Sequence, residues 1–310
     1  MESGGGFEPR KVATQMEIPD LNPNLNFQLV STLTPDEAKL HGMYIAPVGV
    51  PRETLNAAIV LHGLGGNFYG STLNLKLAAA LNQLGLAVLL VNTRGHDGIS
   101  TNRLSGRAVT MGAAYEIVDD CRYDILGWVD WLKNQGYSST ALVGHSLGAI
   151  KALYAASKIS ESMIQAIVGI SATRLSHLSF LKSAKADLFR QSFNKAKELV
   201  EQGRGQELLS VEFPFPTVMA ANAYRDKYGP EDRYDWTSGI SAIHIPTLLM
   251  YGARELEENA AFSGLLQTVE GICREQPNVS LHVVESANHF YAGVHHRVVQ
   301  AVQDWIKDRF

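Results

Sequence analysis

The chain has 310 residues, of which 45% are hydrophobic and 19% charged, a composition typical of a globular protein and unlike that of a disordered chain. Its 27 Lys and Arg against 31 Asp and Glu give a formal charge of −4 without any basic block, so nucleic acid is not an expected partner. Two cysteines, Cys121 and Cys273, are too few for a disulfide framework or a zinc site, and they favour reduced thiols in the cytoplasm.

Residues 1–25 carry three consecutive glycines and mixed charges but no apolar run. We therefore predict a loose N-terminal tail there rather than a signal peptide. The most apolar stretch, residues 84–91, has the length of a strand and is far too short to span a membrane. No membrane partner is expected.

Short, nearly continuous apolar runs recur along the chain and predict strands that are covered on both faces, as in a parallel sheet. Two partly alternating runs, residues 26–33 and 40–48, come first and predict an antiparallel hairpin. The buried runs are residues 56–61, 86–91, 140–143, 164–170, 246–251 and 279–284. Segments of helical length between them are residues 73–84, 118–135, 147–158, 259–275 and 294–306. This alternation predicts an α/β sheet with right-handed crossovers.

The alternation is interrupted once, between residues 172 and 243. This connection is far longer than the few residues that normally join a strand to the next helix. It combines a helical pattern at residues 178–200 with an aromatic-rich stretch at residues 213–236. We predict a helical cap, or lid, at residues 172–243, inserted into a core formed by residues 26–171 and 244–310.

The sequence GHSLG at residues 144–148 follows a predicted strand and opens a predicted helix. This is the strand, turn and helix context that a G-x-S-x-G nucleophile elbow requires. The sharp turn strains the serine backbone, and the flanking glycines prevent collisions with the adjacent strand and helix. We predict that the Ser146 hydroxyl is held at the carboxyl edge of the sheet as a nucleophile.

A serine hydroxyl needs a general base within hydrogen-bond reach, because it is a poor nucleophile near neutral pH. In folds with this elbow the base lies on the loop after the last strand, and His289 occupies that position. His282 lies within the strand, and His295 and His296 lie within the final helix. His289 is therefore the predicted base.

The acid that orients the base is expected after the penultimate strand. Glu255 is chosen by its position directly after that strand. Glu257 and Glu258 are the alternative acids. Each of them could equally be a solvated residue of the first helical turn.

Two backbone N–H groups are predicted to bind the oxyanion. One belongs to Leu147, which follows the nucleophile and opens a helix. The other is assigned to Leu64 in the loop HGLGG, residues 62–66, whose glycines allow the backbone to approach a substrate closely. The loop completes neither G-x-G-x-x-G nor GK[ST], so it is not predicted to bind phosphate. No HExxH motif occurs, and neither a metal nor a cofactor is expected.

Five segments together resemble the α/β-hydrolase superfamily over residues 26–310. They are LHGLGGN (61–67), NTRGHD (92–97), VGHSLG (143–148), PTLLMYGARE (246–255) and SANHF (286–290). The resemblance implies an α/β-hydrolase fold, with a mostly parallel eight-stranded sheet, helices on both faces and a lid between strands six and seven. One departure is Glu255, where the family usually has Asp. We interpret residues 94–97 (RGHD) as a structural turn network rather than a substrate contact.

These residues predict a serine hydrolase that cleaves a carboxylic ester, or a related acyl bond, of a small molecule through an acyl-enzyme. The same machinery would serve an acyltransferase, a thioesterase or a carbon–carbon bond hydrolase. A low-turnover small-molecule receptor is the non-enzymatic alternative. The small-molecule substrate is the expected partner, and a homodimer is left open. The cap's aromatic residues are expected to form apolar walls above Ser146; they are Phe180, Phe189, Phe213, Phe215, Tyr224 and Trp236.

Overall fold

The computed structural model describes residues 26–49, 52–258 and 260–310. The predicted tail, residues 1–25, lies outside this described part of the chain. Within it, no helix is long and apolar enough to cross a membrane. Both cysteines are free thiols, and Cys121 is buried.

The centre of the molecule is an eight-stranded, mostly parallel sheet, which confirms the predicted fold class. In chain order, the strands of the described residues are β1 (Phe27–Leu33), β2 (Lys39–Ile45), β3 (Ala57–Leu61), β4 (Ala87–Val91), β5 (Ser100–Leu104), β6 (Arg107–Met111), β7 (Thr140–His145), β8 (Ile164–Ile170), β9 (Leu208–Val211), β10 (Thr217–Ala220), β11 (Thr247–Gly252) and β12 (Val279–Val284). The sheet order is β1-β2-β4-β3-β7-β8-β11-β12. The first two pairs are antiparallel and the others parallel. Strands β3 and β4 are buried throughout, as their apolar runs predict.

Helices cover both faces of this sheet. In chain order, all α-helices of the described residues, including those of the segment 172–243, are α1 (Thr72–Gln83), α2 (Cys121–Asn134), α3 (Leu147–Lys158), α4 (His177–Leu181), α5 (Ala186–Glu201), α6 (Ala221–Tyr228), α7 (Trp236–Gly239), α8 (Ala253–Glu258), α9 (Leu265–Glu275) and α10 (His295–Arg309). Apolar residues of α1 and α10 form the core on one face, and those of α2, α3 and α9 belong to the core on the other. The nucleophile elbow thus lies between a central strand, β7, and a buried helix, α3.

Helix α9 differs from its prediction. The sequence pattern predicts one helix over residues 259–275, whereas α9 begins at Leu265 and is preceded by a short 3₁₀ turn, Ala260–Phe262. Gly264 has a φ of 71°, in the left-handed region, which interrupts an α-helix and which glycine adopts without steric cost.

The segment 172–243, predicted to be helical, contains a two-stranded antiparallel sheet, β9 and β10, as well as helices. A second hairpin, β5 and β6, lies between β4 and α2 and was also missed. These strands have four or five residues, and β5 (STNRL) has no apolar alternation to reveal it.

Four of the six aromatic residues expected to form walls above Ser146 are instead buried inside this segment. Phe189 and Tyr224 have no exposed surface, and Phe180 and Phe213 are buried. The ring centroid of Phe213 lies 4.9 Å from that of Phe180 and 5.0 Å from that of Phe189. These side chains therefore form the apolar interior of the segment itself, and burying them drives its folding.

Candidate active site

Ser146 occupies the sharp turn between β7 and α3. Its φ of 57° and ψ of −123° are a strained conformation for a residue with a side chain. A Cβ on Gly144 would collide with the backbone of Gly148, and a Cβ on Gly148 would lie 2.5 Å from the carbonyl oxygen of Leu61. Both glycines of the motif are therefore required by the close approach of strand and helix.

The side chains of Ser146, His289 and Glu255 are joined by two hydrogen-bond contacts. His289 Nε2 lies 3.1 Å from Ser146 Oγ, and His289 Nδ1 lies 2.8 Å from Glu255 Oε2. Glu255 is 2% exposed, whereas Glu257 and Glu258 are exposed at the surface. The structure thus brings together the predicted nucleophile, base and first-choice acid and leaves both alternative acids apart from them.

The second carboxylate oxygen of Glu255 is held by donors that sequence analysis missed. Glu255 Oε1 accepts hydrogen bonds from Ser171 Oγ and from the Gly252 N–H, each at 2.7 Å. The Tyr291 hydroxyl lies 3.3 Å from the same oxygen. Burial and the Glu255 charge hold the pKa of Tyr291 well above its ordinary value, so this hydroxyl stays protonated. Ser171 directly follows the end of β8, and that position at the carboxyl edge is the sequence signal that could have indicated it.

His145 supports the loop that carries His289. Its Nε2 lies 2.8 Å from the backbone carbonyl oxygen of His289, an atom that can only accept a hydrogen bond. Burial, together with the neighbouring His289, lowers the pKa of His145 to about 4. The ring is therefore neutral near pH 7 and donates its one proton, from Nε2, to that carbonyl.

Both predicted oxyanion donors lie on elements that adjoin Ser146. Leu147 is the first residue of α3, where backbone N–H groups have no partner within the helix. The loop that carries Leu64 packs against the nucleophile, since a Cβ built on Gly63 would lie 3.3 Å from Ser146 Cβ. A side chain at position 63 would therefore be in tight contact with the serine.

The RGHD segment forms hydrogen bonds and ion pairs within the protein. The Arg94 guanidinium binds Asp36 and Asp124, with N–O distances of 2.9 Å. Asp97 Oδ1 accepts from Asn67 Nδ2 at 2.8 Å, and the Asp97 N–H donates to the carbonyl oxygen of Gly66. These contacts agree with a structural role, and they attach the turn to the loop that carries Leu64.

Access to the candidate site is from the surface. A cavity of about 390 Å³ is lined by Tyr115, Ile117 and residues of α6, but not by Ser146, His289 or Glu255. The triad therefore lies outside this cavity. The His289 side chain is 21% exposed, and the exposed ring of Phe290 lies against it with a centroid distance of 5.2 Å.

Among the residues that the structure describes, no group of three or more His, Cys, Asp or Glu is arranged to hold a metal ion.

Comparisons with known proteins agree with this architecture. A family model described as the alpha/beta hydrolase family matches residues 58–301. No curated protein matches the sequence. Several solved structures share the fold. Est1E from Butyrivibrio proteoclasticus is 16% identical, with a TM-score of 0.60, over 91% of this chain and 98% of that one.

Two further structures are similar at the same level. The esterase Pf2001 from Pyrococcus furiosus is 18% identical, with a TM-score of 0.60, over 92% of this chain and 91% of that one. The alpha/beta hydrolase GrgF from Penicillium sp. sh18 is 13% identical, with a TM-score of 0.64, over 92% of this chain and 99% of that one. At these identities the likeness establishes the fold alone.

Proposed function

The chain belongs to the alpha/beta hydrolase family, and on that premise we propose that it is a serine hydrolase that cleaves a carboxylic ester of a small molecule through an acyl-enzyme. The observation that carries the proposal is the continuous contact from Ser146 Oγ through His289, at 3.1 Å, to Glu255, at 2.8 Å. A nucleophile, a base and an orienting acid in this order constitute the machinery of acyl transfer.

In the acylation half-reaction, Ser146 Oγ attacks the ester carbonyl carbon while its proton passes to His289 Nε2. The carbonyl oxygen becomes an oxyanion, which the N–H groups of Leu64 and Leu147 bind. Collapse of this intermediate breaks the bond to the leaving alcohol, which takes the proton from His289. An acyl group is then esterified to Ser146.

In the deacylation half-reaction, water replaces the alcohol. His289 Nε2 accepts a proton from the water as its oxygen attacks the acyl carbon, and a second oxyanion forms in the same site. Collapse releases the carboxylic acid and returns the proton to Ser146 Oγ. An acyltransferase would follow the same steps with a second alcohol or amine in place of water.

The role of Glu255 is to fix the ring of His289. Its Oε2 can only accept, so the ring proton is placed on Nδ1 and Nε2 is left free to act as the base. When the ring gains its second proton, the carboxylate stabilises the positive charge. Ser171 and the Gly252 N–H keep the carboxylate from rotating away.

The choice of an ester substrate is supported by the comparisons. The Pf2001 structure carries the name esterase, and one Est1E structure is described as bound to ferulic acid. The exposed Phe290 ring beside His289 offers an apolar surface to an acyl or alcohol group. We assign residues 172–243 as a cap that influences which ester is accepted.

The test is hydrolysis of p-nitrophenyl acetate by the wild type, by Ser146→Ala and by the control Ser157→Ala. Ser157 lies on the same helix, α3, which follows Ser146, and its hydroxyl donates to the Tyr154 carbonyl. We expect sustained wild-type turnover, a loss of about 10³-fold or more in Ser146→Ala, and about wild-type activity in the control. Slow modification without turnover would instead support the receptor alternative.

A further inference from the structure

A buried chain of polar side chains connects helix α3 to the loop that carries Leu64. Lys151, on α3, donates from Nζ to Thr93 Oγ1 at 2.8 Å. Thr93 Oγ1 lies 3.1 Å from His62 Nε2, and His62 Nδ1 lies 2.8 Å from the carbonyl oxygen of Gly63. Lys151 and Thr93 have no exposed surface, and His62 is buried. None of these three side chains takes part in the reaction steps described above.

The protons along this chain have one consistent arrangement. Burial and the nearby Lys151 charge lower the pKa of His62 to about 3, so its ring carries a single proton at neutral pH. The Gly63 carbonyl can only accept, which places that proton on Nδ1. Nε2 then accepts from the Thr93 hydroxyl and from the Thr93 N–H. The Thr93 oxygen is left to accept from the Lys151 ammonium.

This chain of hydrogen bonds ends at the peptide bond between Gly63 and Leu64. The carbonyl oxygen of Gly63 accepts from His62 Nδ1 and, at 3.1 Å, from the Gly66 N–H. Because a trans peptide group is planar, its C=O and its N–H point in opposite directions. Donors that fix the Gly63 oxygen therefore also fix the direction of the Leu64 N–H.

Lys151 is itself held by an opposite charge. Its Nζ lies 2.5 Å from Glu116 Oε1, and Glu116 Oε2 lies 3.6 Å from Nζ of Lys227 on helix α6. All three side chains are buried. A buried ion pair of this kind contributes little net stability compared with apolar residues of the same volume. A fixed ammonium can, however, orient the Thr93 hydroxyl, and an apolar side chain cannot.

We propose that Lys151 is a positioning residue of the oxyanion site, which fixes the orientation of the Leu64 N–H through Thr93 and His62. The inference rests on the proposed function, because it assumes that this N–H binds an oxyanion. On this proposal, the buried ion pair with Glu116 serves to hold Lys151 in position. Helix α3 would then position both oxyanion donors, because it begins at Leu147 and contains Lys151.

The test compares Lys151→Met, Thr93→Val and the double variant with a matched control, Tyr44→Phe. Lys151→Met leaves Glu116 and Lys227 as one pair of opposite charges, and Thr93→Val leaves every charge in place. The control removes the Tyr44 hydroxyl, which contacts the Tyr137 hydroxyl at 2.6 Å and is not part of the hydrogen bonds that run from Lys151 to Gly63. For each protein we would measure kcat and KM for p-nitrophenyl acetate, the rate of phosphonylation by a fluorophosphonate, the acid limb of the pH profile and Tm.

We expect kcat and the phosphonylation rate to fall together by about 10-fold in each single variant, less than the loss of a whole oxyanion donor. KM should change by less than about 3-fold, because the donor acts on the oxyanion rather than on the bound ester. In the double variant, kcat and the phosphonylation rate should also fall by about 10-fold rather than about 100-fold, because both changes break the same chain of hydrogen bonds. The acid limb should not move, since His289 and Glu255 are untouched.

A purely structural role would lower Tm and leave the rate per folded molecule at the level of Tyr44→Phe, and that result would overturn the inference while the proposed function stands. Multiplicative losses in the double variant would also overturn it. Failure of the fluorophosphonate to label the wild type would overturn both.

Discussion

The carboxylate of Glu116 occupies the space in which any residue other than glycine at position 95 would place its Cβ. A Cβ built on Gly95 collides with Glu116 Oε1, the atom that binds Lys151. The glycine of the RGHD segment is therefore explained by a buried ion pair on another element, and not by a turn that requires positive φ.

Gly95→Ala should displace Glu116 and weaken its contact with Lys151. We expect the free energy of unfolding to fall by about 2 kcal/mol or more, because the collision is with a side chain enclosed by protein. Gly98→Ala is the matched control in the same turn, since a Cβ there meets no atom within 4 Å. Urea unfolding of both variants measures the difference. Equal stabilities would contradict the packing argument.

Neutralising Glu116 should destabilise the protein far more than neutralising Lys227. Glu116→Gln removes the carboxylate that the buried ammonium groups of Lys151 and Lys227 share, and we expect a loss of about 3 kcal/mol in unfolding free energy. Lys227→Met leaves the pair of Glu116 and Lys151 intact, and its stability should stay within about 1 kcal/mol of the wild type. Urea unfolding at pH 7 distinguishes the two. A larger loss in Lys227→Met would show that Lys227 is the more important partner of Glu116.

The acid can be identified by three matched substitutions. Glu255→Gln should lower kcat by about 10² to 10⁴-fold, because the amide no longer favours the His289 tautomer with a free Nε2. Glu257→Gln and Glu258→Gln should change kcat by no more than a few-fold, since both side chains are exposed and Glu258 is paired with the exposed Arg254.

Glu255→Asp tests reach rather than charge. The shorter side chain cannot keep its bond to the Gly252 N–H and also contact His289, so we expect kcat to fall unless the loop moves. An active Glu255→Gln together with an inactive Glu257→Gln or Glu258→Gln would move the acid to one of these residues.

His145 should make stability depend on pH. The unfolded chain binds a proton at His145 near its ordinary pKa of 6.5, whereas the folded protein binds it only near pH 4. Its contribution to stability is therefore complete above about pH 6.5 and is lost as the pH falls towards 4. His62, with a pKa of about 3, acts in the same direction.

The comparison is between the wild type and His145→Gln, which retains a side-chain N–H for the His289 carbonyl but does not titrate. Between pH 7 and pH 5 the wild type should lose about 1 to 2 kcal/mol more unfolding free energy than the variant. Urea unfolding at the two pH values measures this. Identical losses would mean that His145 is protonated in the folded protein.

The chemistry-bearing positions follow from chain order, and this is why the sequence analysis could place them. Parallel strands bring their carboxyl ends to one edge, so residues that follow β7, β11 and β12 must be neighbours there. Ser146, Glu255 and His289 each follow one of these strands, and the structure brings their side chains into contact. Apolar runs likewise locate the strands that are covered on both faces.

Contacts between distant residues leave no such signal. Glu116 and Lys151 are 35 positions apart, and neither lies in a motif whose spacing predicts an ion pair. The sequence predicts a substrate wall from the aromatic residues of the segment 172–243 because composition does not distinguish the interior of a small insertion from its surface. Their burial depends on how α5, β9 and α6 pack, and periodicity within one segment cannot supply that.

The central claim is that Ser146 is the nucleophile, and the most direct measurement is the position of a covalent label. The protein is incubated with a fluorophosphonate, the intact mass gives the stoichiometry, and fragmentation of the peptides gives the modified residue. The account predicts one adduct per chain, on Ser146 Oγ, and simultaneous loss of p-nitrophenyl acetate turnover. An adduct on another residue that abolishes turnover while Ser146 stays unmodified would contradict it.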